Sequence, residues 1–142
     1  MKLQIKSFHE LNTKELFEIY KLRVSVFVVE QKCYYQEVDD LDLQSYHVWL
    51  EENGKILAYA RIFLEDGVAH IGRVISTQRR CGLGTKIVQA CIESIQEKYE
   101  VDTIRLEAQV YARKLYEKIG FYQTSDVFLE DGIEHIQMEL KL

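Results

Sequence analysis

The sequence predicts an α/β fold, a mixed sheet of six to seven strands flanked by about four helices. Three observations carry that prediction. Short apolar runs of strand length are joined by Asn53-Gly54 and by Asp66-Gly67, pairs that close tight hairpins, so the first half of the sheet is antiparallel. An apolar run over residues 68–75 passes through Gly82 and Gly84 into a helical pattern over 85–99, with another strand pattern at 104–108. That order is a parallel crossover. The chain has 142 residues, 47% of them apolar and none proline, which suits one domain, 1–142, with a core of its own.

Each element follows from its local pattern. Residues 2–8 alternate as a first strand. Asn12 and Glu15 form a capping box, after which Leu16, Ile19, Tyr20, Arg23 and Phe27 recur at helical spacing. The helical pattern dissolves near Glu30. The next segment reads as a loop with one short helix, and it sets Glu30, Glu37, Asp39, Asp40 and Asp42 against Lys32 alone. Strands at 47–50 and 55–64 follow; the second is nearly all apolar and therefore central. Leu83, Ile87, Cys91 and Ile95 form the buried stripe of the long helix. Ile104, Leu106 and Ala108 alternate with Arg105 and Glu107. A short helix over 112–119 stops at Gly120, and a hairpin of 121–129 with 133–142 closes the sheet around Asp131-Gly132. In its last strand Ile136, Met138, Leu140 and Leu142 share one face and His135 lies on the other.

Composition excludes several classes. A formal charge of −5 disfavours nucleic acid as a partner. The apolar runs are far too short for a membrane span, and the N-terminus lacks a signal-peptide core, so a cytoplasmic location is expected. The three cysteines, Cys33, Cys81 and Cys91, match no zinc spacing and read as reduced thiols. Asp39, Asp40 and Asp42 lack calcium-loop spacing and its glycine, and no metal is expected.

Two segments carry chemistry. In Arg79-Arg80-Cys81-Gly82-Leu83-Gly84-Thr85, two glycines permit a tight turn, a helix begins there with unpaired N–H groups, and two arginines stand at the entrance. The local alternatives are a phosphate cradle and a plain strand–helix turn. Neither a Walker A loop nor a dinucleotide fingerprint is present. In the helix ending at Gly120, Ala112, Leu115, Tyr116 and Ile119 make an apolar face. Tyr116 is there either a core residue or a proton donor, since a phenol titrates near pH ~10.

Together, in this order and spacing, these segments resemble the GNAT family of acetyl-CoA-dependent N-acetyltransferases. Arg79-x-x-Gly82-x-Gly84 resembles the family's pyrophosphate-binding motif, and Leu115-Tyr116-x-x-x-Gly120-Phe121 its second CoA-side motif. The segment Phe27-Val28-Val29-Glu30-Gln31-x-Cys33-x-Tyr35-x-Glu37-x-Asp39, with Asp42 and His47, resembles the ElaA-like branch. So do Gly72-Arg73-Val74-Ile75, Ala108-Gln109 and Glu130-Asp131-Gly132-Ile133-x-His135. Glu134 departs from that branch by standing where proline is expected.

The resemblance implies acetyl-CoA as acetyl donor and direct transfer to a primary amine of a small molecule or peptide in a ternary complex. Backbone groups of Arg73, Val74 and Ile75 would bind the pantetheine arm and thioester carbonyl, helped by a bulge in their strand. N–H groups of Arg80, Cys81, Gly82, Leu83, Gly84 and Thr85 would hold the pyrophosphate, with Arg79 and Arg80 reaching phosphates from the side. Gln109 would stand beside the pantetheine, and Tyr116 would protonate the departing thiolate. Within that frame the acidic segment gains a purpose, because an amine arrives as ammonium and must lose a proton before it attacks. Glu37, Glu107 and His135 are the candidate bases, Glu37 ahead of His135, and Glu30, Asp39, His47 and Asp131 are candidate substrate contacts. A non-catalytic acyl-CoA sensor is the alternative, and either a monomer or a homodimer is compatible with the sequence.

Overall fold

In a computed structural model that describes residues 1–78 and 81–142, the elements run as follows. β1 spans Lys2–Ser7, α1 Thr13–Arg23, α2 Leu41–Gln44, β2 Tyr46–Glu52, β3 Lys55–Glu65 and β4 Val68–Ser76. After these come α3 at Leu83–Lys98, β5 at Thr103–Gln109, α4 at Arg113–Ile119, β6 at Tyr122–Gln123, β7 at Phe128–Glu130 and β8 at Ile133–Lys141. The strands lie in the order β1-β2-β3-β4-β5-β8-β6, with β7 also on β8. The β4–β5 pair is parallel and the other pairs are antiparallel.

The three hairpin turns form as their sequences dictate. Asn53-Gly54, Asp66-Gly67 and Asp131-Gly132 each hold both residues at positive φ, the primed geometry that matches the twist of paired strands. The capping box forms as well: Asn12 Oδ1 accepts from the Glu15 N–H at 2.7 Å, and the Asn12 N–H donates back to Glu15 Oε1 at 3.0 Å.

Two elements differ from the sequence expectation. The helix begun at Thr13 continues past Arg23 as a wider π-helical segment, Val24–Glu30, closed by a bond from the Gln31 N–H to the Val26 carbonyl at 3.2 Å. Val24, Val26, Val28 and Val29 crowd that stretch with β-branched side chains, which fit an α-helical wind poorly. The expected strand over 121–129 divides into β6 and β7, giving eight strands among the described residues. Between them the Ser125 hydroxyl, in place of a backbone partner, accepts the Gln137 N–H at 2.8 Å.

Strand alternation sends residues to two cores. Ala58, Ala60, Ile62, Ala69, Ile71, Ile104, Leu106, Ile136 and Met138 meet α3 through Ile87, Val88, Cys91 and Ile95, and α4 through Tyr116. On the opposite face Trp49, Tyr59 and Ile75 meet Ile19 of α1. The β4–β5 ladder is confined to Ala69 opposite Ile104 and His70 opposite Arg105. Beyond those pairs the two strands separate, and the gap between them is the site.

Candidate active site

The cleft is lined on the β4 side by Gly72, Arg73 and Val74, on the β5 side by Leu106–Gln109, and above by the start of α3 and by Tyr116. The π-helical segment closes another wall with Val26, Phe27 and Glu30.

β4 carries a bulge where it faces this gap. Tyr59 of β3 pairs with Ile75, yet Arg61 pairs with Gly72, so β4 fits one extra residue into the same span. Arg73 takes a φ of 52°, a conformation rare outside glycine. Bulge geometry, together with the missing β5 neighbour, leaves backbone polar groups of Arg73 and Val74 outside the ladder. Ile75 behaves differently: its side chain is buried against α1, so only its main chain is available.

The start of α3 faces the same gap. Gly82 is its N-cap, at φ 79°, and its carbonyl receives the first helical bond, from Lys86 at 3.0 Å. The N–H groups before Lys86 are therefore the orphans of a helix start, and Gly82, Leu83, Gly84 and Thr85 line the cleft. Gly84 lets α4 come close, since a Cβ there would stand 3.1 Å from Leu115 Cδ1. Cys81 is exposed, and its thiol donates to the Gln78 carbonyl at 3.4 Å. Arg79 and Arg80, expected at the phosphates, lie outside the described residues.

Tyr116 is 7% exposed, set edge-to-face on Phe121, and lines the cleft. Burial pushes its phenol well above the ordinary value, with Tyr111 and Cys91 adding to the rise, so it is protonated at neutral pH. Gln109, at the end of β5, donates from Nε2 to Gln31 Oε1 at 3.4 Å.

His135 faces Gln109 across the β5–β8 pair. Its Nδ1 donates to the Ile133 carbonyl at 2.8 Å, and its ring stacks on Phe128. That bond fixes the tautomer and leaves Nε2 as the basic nitrogen, 3.7 Å from Glu130 Oε2. Glu107, on the same side, is pushed above the usual carboxylate range by burial and by the Glu130 carboxylate beside it. Glu30 and Asp131 are exposed on this side of the cleft.

The acidic segment has a different fate from the one its charge suggested. Arg23 sits fully buried between Glu37 and Asp42, with Nε 3.0 Å from Glu37 Oε2 and Nη1 2.6 Å from Asp42 Oδ1. Arg61 binds Asp39 at 2.7 Å and Asp42 at 3.0 Å. Arg73 binds Glu37 Oε2 at 2.6 Å. Three carboxylates thus neutralise three arginines inside the protein.

This corrects two expectations. Glu37 is 3% exposed with both oxygens engaged by arginines, so it is a counter-ion and not a free base. His47 is fully buried away from the cleft; it accepts the Tyr59 hydroxyl proton at Nδ1 (2.6 Å) and donates from Nε2 to the Asp42 carbonyl (3.1 Å). Burial holds its pKa below the ordinary value and keeps it neutral. Asp39 does reach the cleft, but its charge is spent on Arg61.

Arg23, Arg61 and Glu130 were not among the site residues expected from sequence. For the arginines a signal existed: Arg23 interrupts the apolar stripe of α1, and Arg61 the apolar run of β3. A buried arginine must be paired, which calls for acids packed against it. Glu130 gave no such signal, because its place beside Glu107 depends on the β7–β8 hairpin.

A bulged strand parting from its parallel neighbour beside a helix start defines the class. An acetyltransferase (GNAT) domain model matches residues 13–142, and the chain belongs to that family. Within it the chain is ElaA-like. It is 35% identical over 136 residues to protein ElaA of Escherichia coli, covering 91% of this chain and 89% of that one. A UPF0039 protein of Schizosaccharomyces pombe is 44% identical over 142 residues, with 96% and 95% covered. The crystal structure of E. coli ElaA superposes with a TM-score of 0.92 at 32% identity, covering 98% of each chain. An acyl-CoA N-acyltransferase from Pseudomonas aeruginosa superposes with a TM-score of 0.92 at 36% identity, covering 99% of each. Among the described residues no helix is long and apolar enough to cross a membrane.

Proposed function

We propose that this protein transfers the acetyl group of acetyl-CoA to a primary amine by direct attack, without a covalent enzyme intermediate. One observation carries the reading: the β4 bulge, the open start of α3 and the protonated Tyr116 face one cleft, with His135 on its far side. The residues fit the donor. The orphan N–H groups at Gly82–Thr85 suit a pyrophosphate, and the unpaired backbone at Arg73–Val74 suits an amide-bearing arm and a thioester carbonyl.

Roles follow from geometry. Glu30, Glu107, Glu130 and Asp131 draw an ammonium into the acceptor side. His135 Nε2 removes one proton from it, directly or through a water. The free amine adds to the thioester carbonyl, and bulge N–H groups stabilise the oxyanion. As the carbon–sulfur bond breaks, the Tyr116 hydroxyl delivers its proton to the sulfur; the added nitrogen sheds its second proton to water in the cleft as the amide forms, and water returns a proton to the Tyr116 phenolate.

Thiol release from acetyl-CoA, measured across polyamines, amino acids and peptide N-termini, tests the reading. Release above the hydrolytic background with at least one amine is expected. CoA binding with no release for any amine would leave a sensor instead of an enzyme.

A further inference from the structure

Arg73 holds a left-handed φ in the middle of a strand, and a residue with a side chain stays there only when its surroundings impose it. Those surroundings are one segment of chain. Glu37 Oε2 accepts from Arg73 Nε at 2.6 Å, and the Glu37 carbonyl accepts from Nη2 at 2.8 Å. The Tyr35 ring lies against the same guanidinium, with its centroid 5.4 Å away. Glu37 cannot yield, because Arg23 grips its carboxylate at 3.0 and 3.2 Å and its carbonyl at 3.1 Å. Arg23 is gripped in turn by both oxygens of Asp42. A rigid relay therefore runs from α1 through Glu37 to the bulge. The same segment reaches the acceptor side, where the Cys33 thiol donates to the Asp131 carbonyl at 3.4 Å.

We infer that Glu37 is a positioning residue: through Arg73 it holds the β4 bulge in the shape that receives the thioester, and it exchanges no proton during transfer. The inference rests on the donor site proposed above. It separates Glu37 from Asp42, which is equally buried in the network but touches Arg23 and Arg61 and not Arg73. A purely structural role predicts that loss of either acid has the same consequences. A positioning role predicts that they part.

The test compares Glu37→Gln with Asp42→Asn in the full chain. Four quantities are read: KM for acetyl-CoA, the pH–rate profile, thermal stability, and hydrogen exchange of residues 72–76 without ligand. Both variants are expected to lose stability. Glu37→Gln alone should raise the donor KM about 10- to 100-fold and speed exchange at the bulge, while keeping the acid limb of the profile. If Glu37→Gln does not fold, Arg73→Gln removes the same contact from the more exposed partner and must raise KM in the same way. Loss of the acid limb in Glu37→Gln makes Glu37 the base and overturns the inference. So does an equal rise of KM in Asp42→Asn, or an unchanged KM and exchange rate in Glu37→Gln. A wild-type protein that binds no CoA overturns the donor site itself, and the exchange comparison still decides whether Glu37 holds the bulge.

Discussion

Tyr116 combines two properties that rarely coincide: its ring is buried in the core, yet no described residue bonds its hydroxyl, which opens to the cleft. Deleting the hydroxyl removes a proton source and leaves the packing intact. Tyr116→Phe should therefore lower turnover about 100-fold, with acetyl-CoA affinity and stability nearly unchanged, as steady-state kinetics and calorimetry would read. An unaltered turnover would return Tyr116 to the core alone. For His135, the Ile133 carbonyl fixes Nδ1 as donor, so Nε2 can accept a proton. Its replacement by glutamine should cost about 100-fold in kcat/KM. Tyr116 and His135 could be named as candidates from sequence because each belongs to a short motif, Leu115–Phe121 for one and Glu130–His135 for the other. The burial of Glu37 among arginines could not be read there. Which acids face solvent and which face arginine depends on packing α1 against β3, and charge counting in one loop carries no information about that.

At the level of elements, periodicity and turn chemistry had most of the fold. Helix faces, hairpins and the crossover each rest on local rules, whereas the strand break rests on the Ser125 hydroxyl bonding Gln137, which patterning does not register, and the π-helical wind of Val24–Glu30 is equally invisible to it. The glycine loop shows how one residue type serves two ends. Gly82 stands at φ 79° and Gly54, in the distant β2–β3 hairpin, at φ 76°; a Cβ on either meets nothing within 4 Å. Their conformational strain on substitution is thus alike, about 1–2 kcal/mol. Gly82→Ala and Gly54→Ala should lower the urea midpoint by similar amounts. Only Gly82→Ala should also weaken CoA binding, because a distorted start of α3 moves the N–H groups proposed to hold the pyrophosphate. Equal affinity in the two variants would remove that helix start from the donor site.

Across the whole molecule, charge is partitioned. The arginine–carboxylate network is balanced and mostly buried, with Asp39 and Arg73 at its cleft edge, while the other side of the cleft keeps Glu30, Glu107, Glu130 and Asp131. This partition sets how stability responds to acid. His47 is buried and neutral, its pKa held below 6.5 by burial, and burial lowers His70 likewise. As pH falls through 6.5 the unfolded chain takes up protons that the fold refuses, so stability declines until the lowered folded values are reached. Asp42 and Asp39 form the second step. Burial would raise both, but Arg23 and Arg61 for Asp42, and Arg61 and Arg73 for Asp39, outweigh it and hold them below 3.8. Their contribution is complete above that value and is lost as pH drops below it. Glu107 works the other way: its raised value means the fold binds a proton before the unfolded chain does, which offsets part of the first decline at pH above 4.5. Urea midpoints followed from about pH 8 to about pH 3 should fall in two stages. His47→Gln keeps an acceptor for Tyr59 and a donor for Asp42 without titrating, so it should shrink the first stage and leave the second. A single fall near pH ~4, identical in wild type and variant, would mean that the proton balance of the fold is carried by the carboxylates alone.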